Sequence, residues 1–255
     1  MKTLFKYDLL YFLKTPRLII FIALAFFLSG LSAFTARYMN VLLEMALEQE
    51  GLTGIEFPDP TIFNSYEQFF SNYTQIFLLV AIFIAAGLFT NDKSKNHYPF
   101  IFTHAISREK FVVSKFMVMM GVLVSSIIFG ALIFSVYSFV LFETFDGLQF
   151  IGAIVVYIVF IILIMCFTAM VSFIFKNYML AVTLSIIVFI LLGSFTFLNQ
   201  GIFTYFPQHL LNYPLLILSG EADTLDIFLT TIVALILSGV MFFFTLLGFK
   251  KRPLL

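Results

Sequence analysis

An all-α integral membrane protein with six transmembrane helices is the expectation for this chain, and three observations carry it: composition, six long uncharged apolar stretches, and the sorting of charge between them. Hydrophobic residues make up 62% of the sequence and charged residues 11%, against roughly 25% charged in a soluble domain. The apolar stretches cover residues 18–36, 68–90, 116–142, 148–175, 178–198 and 227–249. Each is longer than the about 17 residues needed to cross the hydrocarbon of a bilayer. Thirteen of the fourteen basic residues fall in alternate gaps: Lys2, Lys6, Lys14 and Arg17; Lys93, Lys95, Arg108, Lys110 and Lys115; Lys176; and Lys250, Lys251 and Arg252. Arg37 is the exception. The other gaps hold eleven of the fourteen acids: Glu44, Glu48, Glu50, Glu56, Asp59, Glu67, Glu143, Asp146, Glu221, Asp223 and Asp226. Cytoplasmic loops are rich in Lys and Arg, so both termini are expected in the cytoplasm. The formal net charge of zero hides this sorting and gives no reason to expect nucleic-acid binding.

Residues 1–17 read as an interfacial helix, with Leu9, Leu10, Phe12 and Leu13 toward lipid and Lys2, Lys6 and Lys14 toward headgroups. Pro16 separates it from the first span. That span is longer than the about 7 to 15 apolar residues of a signal peptide, so no cleavage is expected. Val41, Leu42, Met45 and Ala46 continue a helical stripe beyond it. Gly51, Gly54, Pro58 and Pro60 then break the helix. The fourth span is the most apolar: within 151–164, eleven of fourteen residues are Ile, Val, Leu or Phe, and each favours insertion by about 0.3 to 0.6 kcal/mol. In 199–226, Pro207 and Pro214 interrupt apolar runs too short to cross, which predicts a re-entrant or interfacial hairpin before the sixth span; an ordinary surface loop is the alternative.

Catalytic chemistry has no place in this pattern. No span contains Asp, Glu, Lys, Arg or His, the residues that mark proton relays and ion sites. A buried nucleophile with its base is equally missing, so no enzyme is expected. His97 and His104 lie on a basic loop and His209 is expected across the membrane from them, as solvated histidines and not metal ligands. The outer Glu residues have no compact ligand spacing either. Cys166, the one cysteine, excludes an internal disulfide. No Gly-rich phosphate loop occurs, so any ATP must be bound by another chain.

Hydroxyls do occur within spans: Ser125, Ser126, Ser135 and Ser138 in the third, and Thr183, Ser185, Ser194 and Thr196 in the fifth. Such groups bond their own helix or a neighbour, or line a wet pathway. The fifth span is the better pathway candidate, because Asn199 and Gln200 extend it into the broken hairpin. Ser194 and Asn199 would supply polar contacts there, and Phe195 and Phe197 a hydrophobic constriction.

The loop 91–115 reads NDKSKNHYPFIFTHAISREKFVVSK. Ser107 is placed to cap the third helix through the amide of Lys110, with Glu109 in its positive first turn and Arg108 pointing to the cytoplasm. Ahead of it, Tyr98, Phe100, Ile101 and Phe102 are apolar knobs on a short segment between basic residues. The amphipathic N-terminal helix ending near Pro16, the acidic Asp92 after the second span, this short segment, Ile106, Ser107 and Arg108 opening the third span, Lys115, and the broken segment before the last span together resemble the ABC-2 family of ABC-transporter permease subunits. The resemblance covers almost the whole chain. It departs where the family often has Glu and Gly and this chain has Asp92 and Asn96 or His97, and at Ala105, where the family often has Pro.

The resemblance implies a bacterial cytoplasmic-membrane exporter subunit without catalytic residues. A cytoplasmic ATPase dimer would hold ATP and magnesium, and a second permease would complete the complex. It also implies that the first cytoplasmic loop is a coupling helix, with Asp92, Lys93, Tyr98, Phe100, Phe102, Ser107 and Arg108 at the ATPase, and that the second and fifth spans line the pathway. Apolar walls with scattered hydroxyls suit an amphipathic or hydrophobic cargo such as a peptide, an antibiotic or a lipid-like molecule. The rival reading is a non-transporting membrane scaffold or immunity factor that sequesters a toxic peptide.

Overall fold

The computed structural model describes residues 2–49, 58–94, 107–142, 144–194 and 204–251, and among them every regular element is helical. Helix α1 (Lys2–Lys14) ends where the hydroxyl and amide of Thr15 both donate to the Phe12 carbonyl, at 2.8 and 3.2 Å. Pro16, which has no amide hydrogen to lose, then opens α2 (Pro16–Gln49). A 34-residue helix is about 51 Å long against a hydrocarbon core of about 30 Å. Its last turns therefore run past the first predicted span, as the stripe of Val41, Leu42 and Met45 implied.

The second span starts at Ile62 and not at residue 68. Asn64 explains the difference: its side-chain oxygen accepts from the amide and the hydroxyl of Thr61, at 2.9 and 2.8 Å, and so fixes the helix start earlier than hydropathy does. Helix α3 (Ile62–Asn72) passes through a π-helical turn (Tyr73–Phe77) into α4 (Leu78–Ser94). Helix α5 (Arg108–Leu141) likewise begins ahead of the predicted residue 116. Ser107 sits at its N-cap with extended backbone, but its hydroxyl makes no capping bond; the expected contact to Lys110 is not formed, and the Ser107 carbonyl accepts from Phe111 N at 3.2 Å. Helix α6 (Gly147–Ile174) is capped by Asp146, whose Oδ1 accepts from the amides of Leu148 and Gln149 at 3.1 and 3.2 Å. Then come α7 (Tyr178–Ser194), a 3₁₀ turn (Pro207–Leu211), α8 (Tyr213–Ser219) and α9 (Thr224–Lys251).

Among the described residues five helical segments are long and apolar enough to cross a membrane: Pro16–Met45, Ile62–Thr90, Arg108–Leu141, Gly147–Ile174 and Thr224–Phe249. Helix α7 has 17 described residues, about 25 Å of helix. The remainder of that expected span, 195–198, lies outside the described residues.

Helix α6 is the centre of the bundle and packs against α4, α5, α7, α8 and α9. Its most apolar window is 67% buried, against 33% for α2 and 17% for α9. A helix apolar on every side suits such a position. The exposed faces of α9, with Phe228, Ile236, Phe243 and Phe244, are the kind that lipid covers. Aromatic rings fill the core between α3, α5 and α6: Phe69 lies 4.5 Å from Phe134, and Phe134 lies 5.2 Å from Phe150. The span hydroxyls mostly bond their own helix. Ser125 and Ser126 donate to the Val122 carbonyl, Ser135 to Ala131, Ser185 to Ala181 and Ser194 to Ile190. Such bonds satisfy the hydroxyl where water is absent.

Candidate functional site

Two regions gather the functional candidates, one at each end of the bundle. The basic end holds α1, the start of α5 and the ends of α4, α6 and α9. Asp8 and Phe12, four residues apart, share one face of α1, and that face is turned into the protein: both are buried. Asp8 Oδ2 accepts from the Ser114 hydroxyl of α5 at 2.5 Å. This corrects the expectation that Phe12 faces lipid. Leu9 is half-buried against the core, whereas Leu10 and Leu13 are exposed together with Phe5, Tyr7 and Tyr11. A carboxylate is stable at a buried position only with donors around it, and Ser114 supplies one of them.

Arg108 is also placed differently from expectation. Half-buried, it donates from Nη1 to the Phe249 carbonyl at 3.5 Å instead of pointing away from the bundle. The last carbonyls of a helix lack partners within it, so a guanidinium at the end of α9 is both a donor and a favourable charge. The Phe249 ring lies 5.1 Å from Phe89 and 4.3 Å from Phe173. Lys115 lies over the Phe111 ring, 4.6 Å from its centroid. Ser107 is exposed beside them. Asp92 and Lys93 belong to the last turn of α4, but the placement of their side chains is not described. Tyr98, Phe100 and Phe102 lie outside the described residues, as do His97 and His104.

The other end carries the acidic loops and the proline-broken segment. Arg37 lies over the Phe142 ring at 5.8 Å, and Asn40 donates to the Pro58 carbonyl at 2.7 Å, which ties the projecting end of α2 to its neighbours. Between residues 204 and 223 the chain forms two short helical pieces, each with a proline in its first turn. Gly220, at φ 76°, reverses the chain: its amide donates to the Ile217 carbonyl at 3.3 Å, and the amide of Glu221 to Leu216 at 3.1 Å. The pieces lie against α3, α6, α7 and α9. Pro207, Gln208, His209, Leu210, Tyr213 and Pro214 are buried, which is unlike a surface loop.

His209 was expected to be solvated, and it is not. It is 6% exposed, its Nε2 lies 3.3 Å from Gln208 Nε2, and the Tyr213 hydroxyl lies 3.4 Å from that of Thr230 on α9. Sequence reasoning missed this polar cluster because hydropathy assigns His and Gln to water. The pattern that points to it is the pair of prolines that folds the segment back. Ser194, at the end of α7, is exposed and bonds its own helix at 2.8 Å. Phe195, Phe197 and Asn199 lie outside the described residues. Among the described residues no group of three or more His, Cys, Asp or Glu side chains could hold a metal.

A bundle of long apolar helices, sorted in charge between its ends, is that of a multi-pass membrane protein. Residues 12–193 match the family model described as ABC-2 family transporter protein, and the chain belongs to that family. No curated protein matches the sequence. The chain is thus a permease component, a transport subunit that is not itself catalytic, of a family associated with ABC ATPases. The buried segment 204–223 and α9 lie beyond the matched residues.

Proposed function

We propose that this protein is the permease subunit of an ATP-driven exporter in a bacterial cytoplasmic membrane, working with a second permease and two separate ATPase subunits that hold ATP and magnesium. The family match across 12–193 is the observation that carries this reading. In it the chain crosses six times, α7 and the residues after it forming the fifth span, and both termini are cytoplasmic, a reading supported by the sorting of basic residues.

The segment between Lys93 and Thr103 is the coupling helix. Tyr98, Phe100 and Phe102 enter a groove of the ATPase, with Asp92, Lys93, Ser107 and Arg108 at its flanks. ATP binds the two conformations of the complex with different affinity and so shifts a central cavity between inward and outward openings. The pathway runs beside α7, where Ser194, Phe195, Phe197 and Asn199 lead toward the hairpin. Support for a re-entrant hairpin comes from its burial against four helices and from Gln208 and His209 inside it, since broken backbone within a bilayer must be covered by protein or line a wet cavity. An amphipathic or hydrophobic cargo fits walls of this kind.

The test is isolation from native membranes in mild detergent, followed by reconstitution into vesicles. Co-isolation of an ABC ATPase and efflux that requires magnesium and ATP are expected. A chain that comes out alone and binds a peptide without moving it would be the sequestering factor instead.

A further inference from the structure

The basic ends of four helices meet at Phe249. Its ring lies edge-on to Phe89 of α4 at 5.1 Å and against Phe173 of α6 at 4.3 Å, and its carbonyl accepts from Arg108, the first residue of α5. Phe89, Phe173 and Phe249 are 0%, 6% and 5% exposed. Gly248 makes the fit possible. A β-carbon there would collide with the Phe173 ring, whose Cζ would be 2.9 Å away.

Chain order gives this arrangement its meaning. Helices α4 and α5 flank the coupling segment proposed between Lys93 and Thr103, with Phe89 on the way in and Arg108 on the way out. Both flanks reach the same residue of the last helix. Helix α9 has the least buried window of the candidate spans and packs chiefly against α6. Phe242 against Phe116, at 4.5 Å, is a further contact between α5 and α9. Buried groups at native packing density do not yield independently: when one moves, its neighbours move or the contact is lost.

We propose that Phe249 is a positioning residue for coupled transport: its ring carries ATPase-driven displacement of α4, one flank of the coupling segment, to the last helix, while Arg108 on the other flank holds the backbone of the same residue. This rests on the reading of that segment as the ATPase dock.

The experiment uses the complex co-isolated with its ATPase in lipid nanodiscs, with Cys166→Ala and spin labels at Leu148→Cys and Phe243→Cys, which are 82% and 58% exposed. Double electron–electron resonance is recorded without nucleotide and with magnesium, ATP and vanadate. Wild-type Phe249 should show a nucleotide-dependent change in the distance between α6 and α9. In Phe249→Ala, which removes the ring contacts and keeps the backbone carbonyl, that change should be clearly smaller, and transport per ATP should fall about tenfold, within the usual range for coupling between two sites, while the ATPase stays bound. Phe249→Leu keeps apolar volume, loses the ring contacts and guards against a folding failure; it should lie between the two. Either variant showing the wild-type distance change and transport ratio, even with lower thermal stability, overturns the proposal. A complex without ATPase, or without any nucleotide-dependent change at wild-type Phe249, overturns the docking reading and this proposal with it.

Discussion

The hydroxyl of Tyr73 occupies the place where a side chain at Gly130 would begin. An ideal β-carbon at residue 130 would overlap that oxygen and come within 2.9 Å of Ser29 Oγ. The same hydroxyl donates to the Ala25 carbonyl at 3.1 Å and pairs with Ser29 Oγ at 2.9 Å. One phenol therefore joins α2, the π turn and α5. Single π turns within α-helices are frequent at functional positions, and here Tyr73 opens one.

Gly130→Ala should lower thermal stability in detergent by about 1 to 3 kcal/mol, the usual cost of overpacking a core. Tyr73→Phe removes the clashing oxygen, so the double variant should recover part of the loss. Simple addition of the two single losses would show that the hydroxyl is not the obstacle.

Ser114→Ala removes a donor to the buried Asp8 carboxylate, and the expected loss of stability is about 1.5 to 3 kcal/mol, as for hydrogen bonds to charged groups. Asp8→Asn should reduce the further effect of Ser114→Ala, because the group left behind is neutral. Thermal unfolding of the two single variants and the double variant measures this. An effect of Ser114→Ala that is the same in both backgrounds would mean that the carboxylate is held by other groups.

Topology is tested by labelling from outside intact cells with a membrane-impermeant thiol reagent in the Cys166→Ala background. Glu221→Cys, at an exposed position beside the Gly220 turn, should react. Lys110→Cys, exposed at the basic end, should not. The reverse pattern would invert the protein in the membrane.

Docking by the proposed coupling segment, between Lys93 and Thr103, is tested with Phe100→Ala and Phe102→Ala together. Aromatic anchors in a desolvated pocket cost about 2 kcal/mol or more each on truncation, roughly thirtyfold in affinity, whereas an exposed ion pair is worth up to about 1 kcal/mol. The double variant should release the ATPase in a pull-down, and Lys93→Ala should change little. Retention of the ATPase by the double variant, with unchanged hydrolysis, would reject the anchor role.

Ser194 separates a structural from a transport role. Its hydroxyl bonds the Ile190 carbonyl of its own helix, so Ser194→Ala should leave both stability and transport near wild type. Ser194→Trp and Ser194→Glu should impair transport while leaving insertion unaltered. Normal efflux from both would move the pathway away from α7.

Where each helix lies along the chain was legible before any coordinates, because insertion sums the transfer free energies of neighbouring residues and Lys and Arg sort the gaps. Family membership was legible from local features such as the Ile106, Ser107 and Arg108 run, and the match over residues 12–193 shows it. Helix ends were less so. The start at Ile62 depends on Asn64 and Thr61, two polar residues that hydropathy reads only as a gap.

Which side of each helix faces protein could not be read from composition. Lipid and a protein interior are equally apolar, so an all-apolar helix carries no stripe that distinguishes them. Shape makes the choice: Gly130 admits Tyr73 and Gly248 admits Phe173. Longer-range pairing places the polar groups, with Asp8 against Ser114 and Arg108 on the Phe249 carbonyl. Those partners are distant in sequence, and only the folded chain brings them within reach of one another.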